Sequence, residues 1–183
     1  YPQESEPVRF LFISRIRREK GIDEYLAAAD AIRKDYPNTE FHILGGCEGD
    51  YEERLRCMTD QGIVVYHGAQ SDVRPFIANA SCLIHPSFYP EGMSNVLLEA
   101  CAAGRPVITT DRPGCGEIVD EGKTGFIVRQ QDADDVIAKV HKFLSLSYDE
   151  RKTMGLAARQ KVEREFDREI VVKAYEEEIV KLF

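Results

Sequence analysis

"SCLIHPSFYPEGMSNVLLEACAAGRPVITTD", residues 81–111, decides the fold. Residues 81–87 are a short apolar run closed by His85 and Pro86, the pattern of a buried strand. Residues 94–103 read as an apolar helix with Ser94 as its N-cap, and "RPVITTD" (105–111) as a second strand. Strand, helix, strand within one short stretch is a βαβ unit, which implies parallel strands. Two carboxylates punctuate it. Glu91 lies in the loop, where an acid ahead of a helix favours the dipole. Glu99 lies on an otherwise apolar segment that reads as buried, where an unpaired carboxylate is costly. The pair therefore calls for something to hold.

The same alternation runs outward in both directions. Strands are expected at 8–16, 39–46, 62–68 and 124–128. Helices are expected at 19–36, stopped by Pro37, and at 50–61 and 71–80. Helical patterns fill most of 132–183, with breaks near 145–148 and 166–167. These elements predict one α/β domain: a Rossmann-like, doubly wound parallel sheet of about six strands. Residues 1–7 are a leader, 8–131 the α/β core and 132–183 a helical C-terminal part. No repeat or low-complexity linker interrupts it.

Composition narrows the function classes. The chain has 183 residues, 43% apolar and 31% charged, the profile of a globular domain with a real core. A net charge of -8 argues against nucleic acid or an anionic membrane as the main partner. Five cysteines without a CxxC pair read as reduced thiols, with Cys82 and Cys101 in apolar runs. His42, His67, His85 and His141 are scattered without an HxxxH or cysteine partner, which argues against zinc. Ser87 and Ser94 lack the context of a hydrolase nucleophile. No apolar run is long enough to span a bilayer, and a cytoplasmic location is expected. The opening "YPQESEPVRF" has neither the Met nor the apolar segment of a signal peptide, and reads as the start of a piece of something longer.

Three loops after strands carry chemistry. "SRIRREKG" (14–21) gathers Arg15, Arg17, Arg18 and Lys20 ahead of a helix whose N-terminus is already electropositive. An anionic ligand, or Glu19 and solvent, would compensate. "LGGCEGD" (44–50) matches neither GxGxxG nor a P-loop and reads as a tight turn. The third is 86–94. Gly92 allows a close backbone approach there, and the N–H groups of residues 92–95 would cradle an anion. Helical side chains lean toward their N-terminus, so Glu99, about 7.5 Å along the axis from Ser94, leans back toward that loop. Carboxylates on either side of a phosphate site suit hydroxyl donors, as in ribose or hexose diols. The competing reading gives Glu99 a structural hydrogen bond and Glu91 a dipole role.

These residues carry a family likeness. "EGMSNVLLEACAAGRPVITTD" followed by "GCGEIVDEGKTGFIV" resembles the signature of retaining glycosyltransferases of family 4, enzymes of the two-domain GT-B fold. Glu91 and Glu99 meet the E-x7-E spacing, and "SRIRREKG" resembles the Arg-xxxx-Lys-Gly element. The likeness covers essentially the whole chain. It implies the C-terminal, nucleotide-sugar-binding half of such an enzyme, acting in polysaccharide or glycolipid assembly. Arg15 and Lys20 would neutralise the donor diphosphate, Glu91 would contact donor-sugar hydroxyls, and Glu99 would bind ribose. Gly92, Met93, Ser94 and Asn95 would contact phosphate and sugar through backbone amides. Tyr66 and Gly68, within the segment 65–68, would border the base.

The resemblance further implies a UDP-sugar donor, no metal or other cofactor, and a glycan or lipid-linked acceptor. The acceptor site would belong to an N-terminal domain that this chain lacks, and a peripheral association with the inner membrane face would run through that domain. Ser14 replaces a frequent Gly, and Gly92-Met93-Ser94 replaces Gly-Phe-Gly or Gly-Phe-Pro. The readings weighed against it are a GT-B-like nucleotide-sugar epimerase, a non-catalytic binding domain and an NAD-dependent oxidoreductase. The last lacks its fingerprint after the first strand.

Overall fold

The computed structural model describes residues 1–47, 51–90 and 92–181. Six parallel strands form one sheet: β1 (Val8–Ile13), β2 (Thr39–Leu44), β3 (Val65–Tyr66), β4 (Cys82–His85), β5 (Val107–Thr110) and β6 (Gly125–Val128). The helices are α1 (Ile22–Asp35), α2 (Tyr51–Asp60), α3 (Arg74–Asn79), α4 (Asn95–Ala102), α5 (Ala133–Ser145), α6 (Tyr148–Glu165) and α7 (Arg168–Val180). Spatial order is β3-β2-β1-β4-β5-β6. The chain therefore works outward from β1 to one edge, returns, and continues from β4 to the other. The reversal lies between β1 and β4, where loops at the strands' carboxyl ends diverge and leave a crevice.

Both faces of the sheet are covered, as continuous apolar strands require. Phe10, Phe12, Phe41 and Ile43 turn to one face and pack with Tyr25, Leu26, Ile32, Leu55, Val140 and Phe143 of α1, α2 and α5. Leu11, Leu44, Leu83 and Val107 turn to the other and pack with Ile77, Leu97, Cys101, Ala158 and Val162 of α3, α4 and α6. None of the five cysteines forms a disulfide among the described residues, and Cys82, Cys101 and Cys115 are buried. Burial pushes the Cys101 thiol up to about 12, so it behaves as an apolar side chain.

Several boundaries differ from the sequence expectation. The helix expected over 19–36 is two pieces: a 3-10 turn at Arg18–Lys20, then α1. Gly21 divides them at φ 80, and a Cβ there would sit 2.3 Å from the Pro86 carbonyl oxygen. A loop 65 residues downstream in the chain thus dictates that break. The strand expected over 62–68 shrinks to Val65–Tyr66, because it is an edge strand paired on one side only. Strand 8–16 ends at Ile13, with Ile16 making an isolated bridge to Cys47. A 3-10 turn at Gly116–Ile118 was not anticipated. The breaks at 145–148 and 166–167 are where α5, α6 and α7 meet.

Candidate functional site

The basic turn and the 86–90 loop are joined through one acceptor. The Glu19 carbonyl takes hydrogen bonds from the N–H groups of Phe88 and Tyr89, each at 3.0 Å, and from Ser87 Oγ at 3.2 Å. From the other side β5 holds the same loop. Thr109 Oγ1 donates to the His85 carbonyl at 2.8 Å and Thr110 Oγ1 to the Ser87 carbonyl at 2.6 Å. Both threonines are fully buried, so these bonds fix the loop rather than decorate it.

Within this frame Arg15 is exposed at the end of β1. Lys20 is buried apart from 8% of its surface, and its Nζ lies 4.2 Å from the centroid of the Tyr89 ring. The Arg17 guanidinium carbon lies 4.7 Å from the same centroid. Such distances are cation–π contacts. Sequence spacing gave no hint of Tyr89, because nothing local relates it to Lys20.

Opposite stands the start of α4. Ser94 is the N-cap by backbone position, but its hydroxyl makes no capping bond and is almost wholly buried. Its N–H instead donates to the Gly114 carbonyl at 2.9 Å, and the Gly114 N–H donates to Glu117 Oε2 at 2.8 Å. The loop after β5 thereby steadies the helix tip. Gly92, Met93 and Asn95 are exposed beside it. No side chain caps the helix, and the Leu97 and Leu98 N–H groups turn back to the Ser94 carbonyl, which leaves the Asn95 and Val96 N–H groups at a tip of the kind that receives an anion.

Glu99 is on the second turn of α4 and shares a face with Asn95. It is exposed, and its carboxylate makes no hydrogen bond or ion pair among the described residues. Burial was expected of this segment; the buried residues of α4 are Leu97, Ala100 and Cys101, and Glu99 falls on the opposite stripe. A structural hydrogen bond does not explain it. Glu91, its expected counterpart, lies outside the described residues.

Tyr66 lies at the end of β3. Its phenol donates to the Gly45 carbonyl at 2.8 Å and accepts from Cys47 Sγ at 3.3 Å. Burial, then the Cys47 contact, pushes it up to about 12. The hydroxyl is therefore committed to the turn after β2. Gly68, just after β3, is tied to that turn, its carbonyl accepting from the Gly45 N–H at 2.9 Å. Gly45 has φ 140, and a Cβ would lie 1.7 Å from the Ser14 carbonyl oxygen, so the glycine pattern serves close backbone packing.

The histidines are less scattered than their spacing implies. His42 Nδ1 and His67 Nε2 are 2.8 Å apart, and Glu40 Oε2 is 3.2 Å from His42 Nε2. Burial, then His42, lowers the His67 pKa. They border a cavity of about 320 Å³ between α3 and the sheet, away from the crevice. No group of three or more metal-ligating side chains is present among the described residues.

The family model described as "Glycosyl transferases group 1" matches residues 2–161. The capsular polysaccharide biosynthesis glycosyltransferase CapM of Staphylococcus aureus is 32% identical over 165 residues, 87% of this chain and 42% of that protein. Glycogen synthase of Mycobacterium tuberculosis is 30% identical over 172 residues, 92% of this chain and 41% of that protein. Among solved structures, Anabaena Alr3699/HepE in complex with UDP and glucose superposes with a TM-score of 0.81 at 19% identity, covering 97% of this chain and 49% of that one. Sucrose-phosphate synthase of Thermosynechococcus elongatus gives 0.80 at 27%, covering 98% and 46%. The chain spans less than half the length of these relatives, and its Rossmann-like sheet corresponds to one half of a GT-B fold. The chain belongs to the glycosyl transferases group 1 family.

Proposed function

We propose that this chain is the donor-binding half of a retaining, family 4 glycosyltransferase, and that it takes a nucleoside-diphosphate sugar, UDP-linked, for hexose transfer to a glycan or lipid-linked acceptor. One observation carries the reading. At the strand-order reversal, a turn bearing Arg15 and Lys20 is bonded to the loop that leads into an uncapped helix N-terminus. Two kinds of positive charge thus lie on loops that are bonded to one another or directly continuous, and Glu99 stands exposed on the same helix as an acceptor for a diol.

The chemistry follows from charge. Cleaving the sugar–phosphate bond leaves an oxocarbenium-like sugar and a nucleoside diphosphate with added negative charge. Arg15, Lys20 and the α4 N–H groups stabilise that leaving group, and being fixed beforehand they cost no reorganisation during the step. These cations take the charge that a divalent ion would otherwise balance. Glu99 binds the ribose hydroxyls, and the backbone of Gly92, Met93 and Asn95 orients phosphate and sugar, the Ser94 N–H being held by Gly114. Glu91 is assigned to the sugar hydroxyls by its motif. Tyr66 and Gly68 border the base, as the motif has it, with the Tyr66 hydroxyl engaged by Gly45 and Cys47. Acceptor attack comes from the leaving-group face, and the acceptor site belongs to a second domain. Capsular and glycogen glycosyltransferases among the relatives support a glycan product.

Titrating UDP, GDP, ADP and NAD while following thermal stability tests the reading. Ligand at 100 times its dissociation constant adds about 2.7 kcal/mol. Stabilisation by a nucleoside diphosphate, lost in Arg15→Ala with the fold intact, is the expected result. Stabilisation by NAD alone would overturn it.

A further inference from the structure

Tyr89 is the residue of the crevice that no motif assigns. It is a little over one-third exposed, and its position is held by backbone bonds: its N–H lies 3.0 Å from the Glu19 carbonyl and 3.2 Å from Ser87 Oγ. Glu19 itself sits in the turn between Arg17 and Lys20. The ring and the two cations are therefore locked to one another through the same short segment. Arg17 Cζ and Lys20 Nζ approach the ring centroid at 4.7 Å and 4.2 Å.

Two cations this close repel, and holding both needs a compensating field. The electron-rich ring supplies part of it and restrains two long, rotamer-rich side chains. A guanidinium stacked on an aromatic face also keeps its N–H fork in one plane, the geometry that meets phosphate oxygens.

We propose that Tyr89 is a positioning residue of the pyrophosphate grip, holding Arg17 and Lys20 on its ring and so making Arg17 a third cation of the site beside Arg15 and Lys20. The ligand class is the pyrophosphate of a nucleoside diphosphate, and the inference rests on the nucleotide-sugar reading above. The ring, not the hydroxyl, does the positioning. Tyr89→Phe therefore keeps the function and Tyr89→Leu loses it.

The experiment is calorimetric titration of UDP, and separately of inorganic pyrophosphate, into the 183-residue chain and its variants. Tyr89→Phe is expected to bind both within twofold of the unaltered chain. Tyr89→Leu is expected to bind both about three- to tenfold more weakly, with its ligand-free thermal midpoint unchanged. Arg17→Gln is expected to weaken both by about tenfold, and Tyr89→Leu to cost less on that background than alone. Full affinity in Tyr89→Leu or in Arg17→Gln, or an equal loss in Tyr89→Phe and Tyr89→Leu, overturns the inference while UDP binding by the unaltered chain leaves the nucleotide-sugar reading standing. Failure of the unaltered chain to bind UDP, GDP or ADP overturns that reading and this inference together.

Discussion

Gly21 couples backbone conformation to the site. Its φ of 80 and the 2.3 Å approach of a built Cβ to the Pro86 carbonyl leave room for no side chain. Gly21→Ala is expected to destabilise by roughly 2–4 kcal/mol, combining left-handed strain with overpacking. Urea denaturation reads the loss, and nucleotide affinity should fall with it because the turn carrying Lys20 must move. Glu99 makes the opposite case. Exposed and without a side-chain partner among the described residues, it can be changed without cost to the fold. Glu99→Ala is expected to keep its thermal midpoint and weaken UDP binding about ten- to hundredfold, the worth of a charged hydrogen-bond acceptor. Equal affinities would remove Glu99 from the ribose. The E-x7-E spacing made this residue legible in the sequence, whereas its exposure depended on which stripe of α4 meets the sheet.

Among the elements, α6 and α7 differ in how the fold uses them. Lys161 on α6 reaches across to Asp120, in the loop before β6, at 2.6 Å and also meets Glu165 at 3.2 Å. The hydrogen bond from Lys161 holds the Asp120 carboxyl below its ordinary value. A depressed carboxylate contributes stability above its unfolded pKa and loses it as pH falls through the folded one. Asp120→Asn is therefore expected to cost at most about 1 kcal/mol at pH 7, water screening this half-exposed carboxylate, and less at pH 2. Paired thermal melts at the two pH values check it. By contrast α7 buries no residue and presents Ile170, Val171, Val172, Tyr175, Ile179 and Val180 to solvent. A chain ending at Asp167 should therefore melt within about 2 °C of the full one, because no core contact is lost. A large drop would show that α7 docks onto this domain after all. The breaks near 145–148 and 166–167 were readable in the sequence, and Ser147 and Asp167 there cap α6 and α7.

At the scale of the molecule, strand order decides where chemistry can sit. The reversal between β1 and β4 brings together loops that are far apart in the chain, Ser87 reaching Glu19 across 68 residues. The chain covers less than half of these relatives. The isolated chain is therefore expected to bind nucleoside diphosphate yet show no sugar transfer, while the same sequence joined to an N-terminal partner domain transfers. A donor-hydrolysis and transfer assay on both forms checks this, and transfer by the isolated chain would place the acceptor site within these residues.

Periodicity was enough to determine the parallel α/β class and the order of strands and helices, while residue type marked the basic turn and the acidic pair and the family resemblance gave them their motifs. These are local signals, written within a turn of helix or a few residues of strand. Tertiary structure alone decided that Tyr89 lies on Lys20 and Arg17, that the Tyr66 phenol closes a turn, that His42 meets His67, and that Gly21 splits a helix. Each depends on a contact between segments distant in the chain. Such contacts are set by how the sheet stacks its strands, and no short-range pattern encodes that.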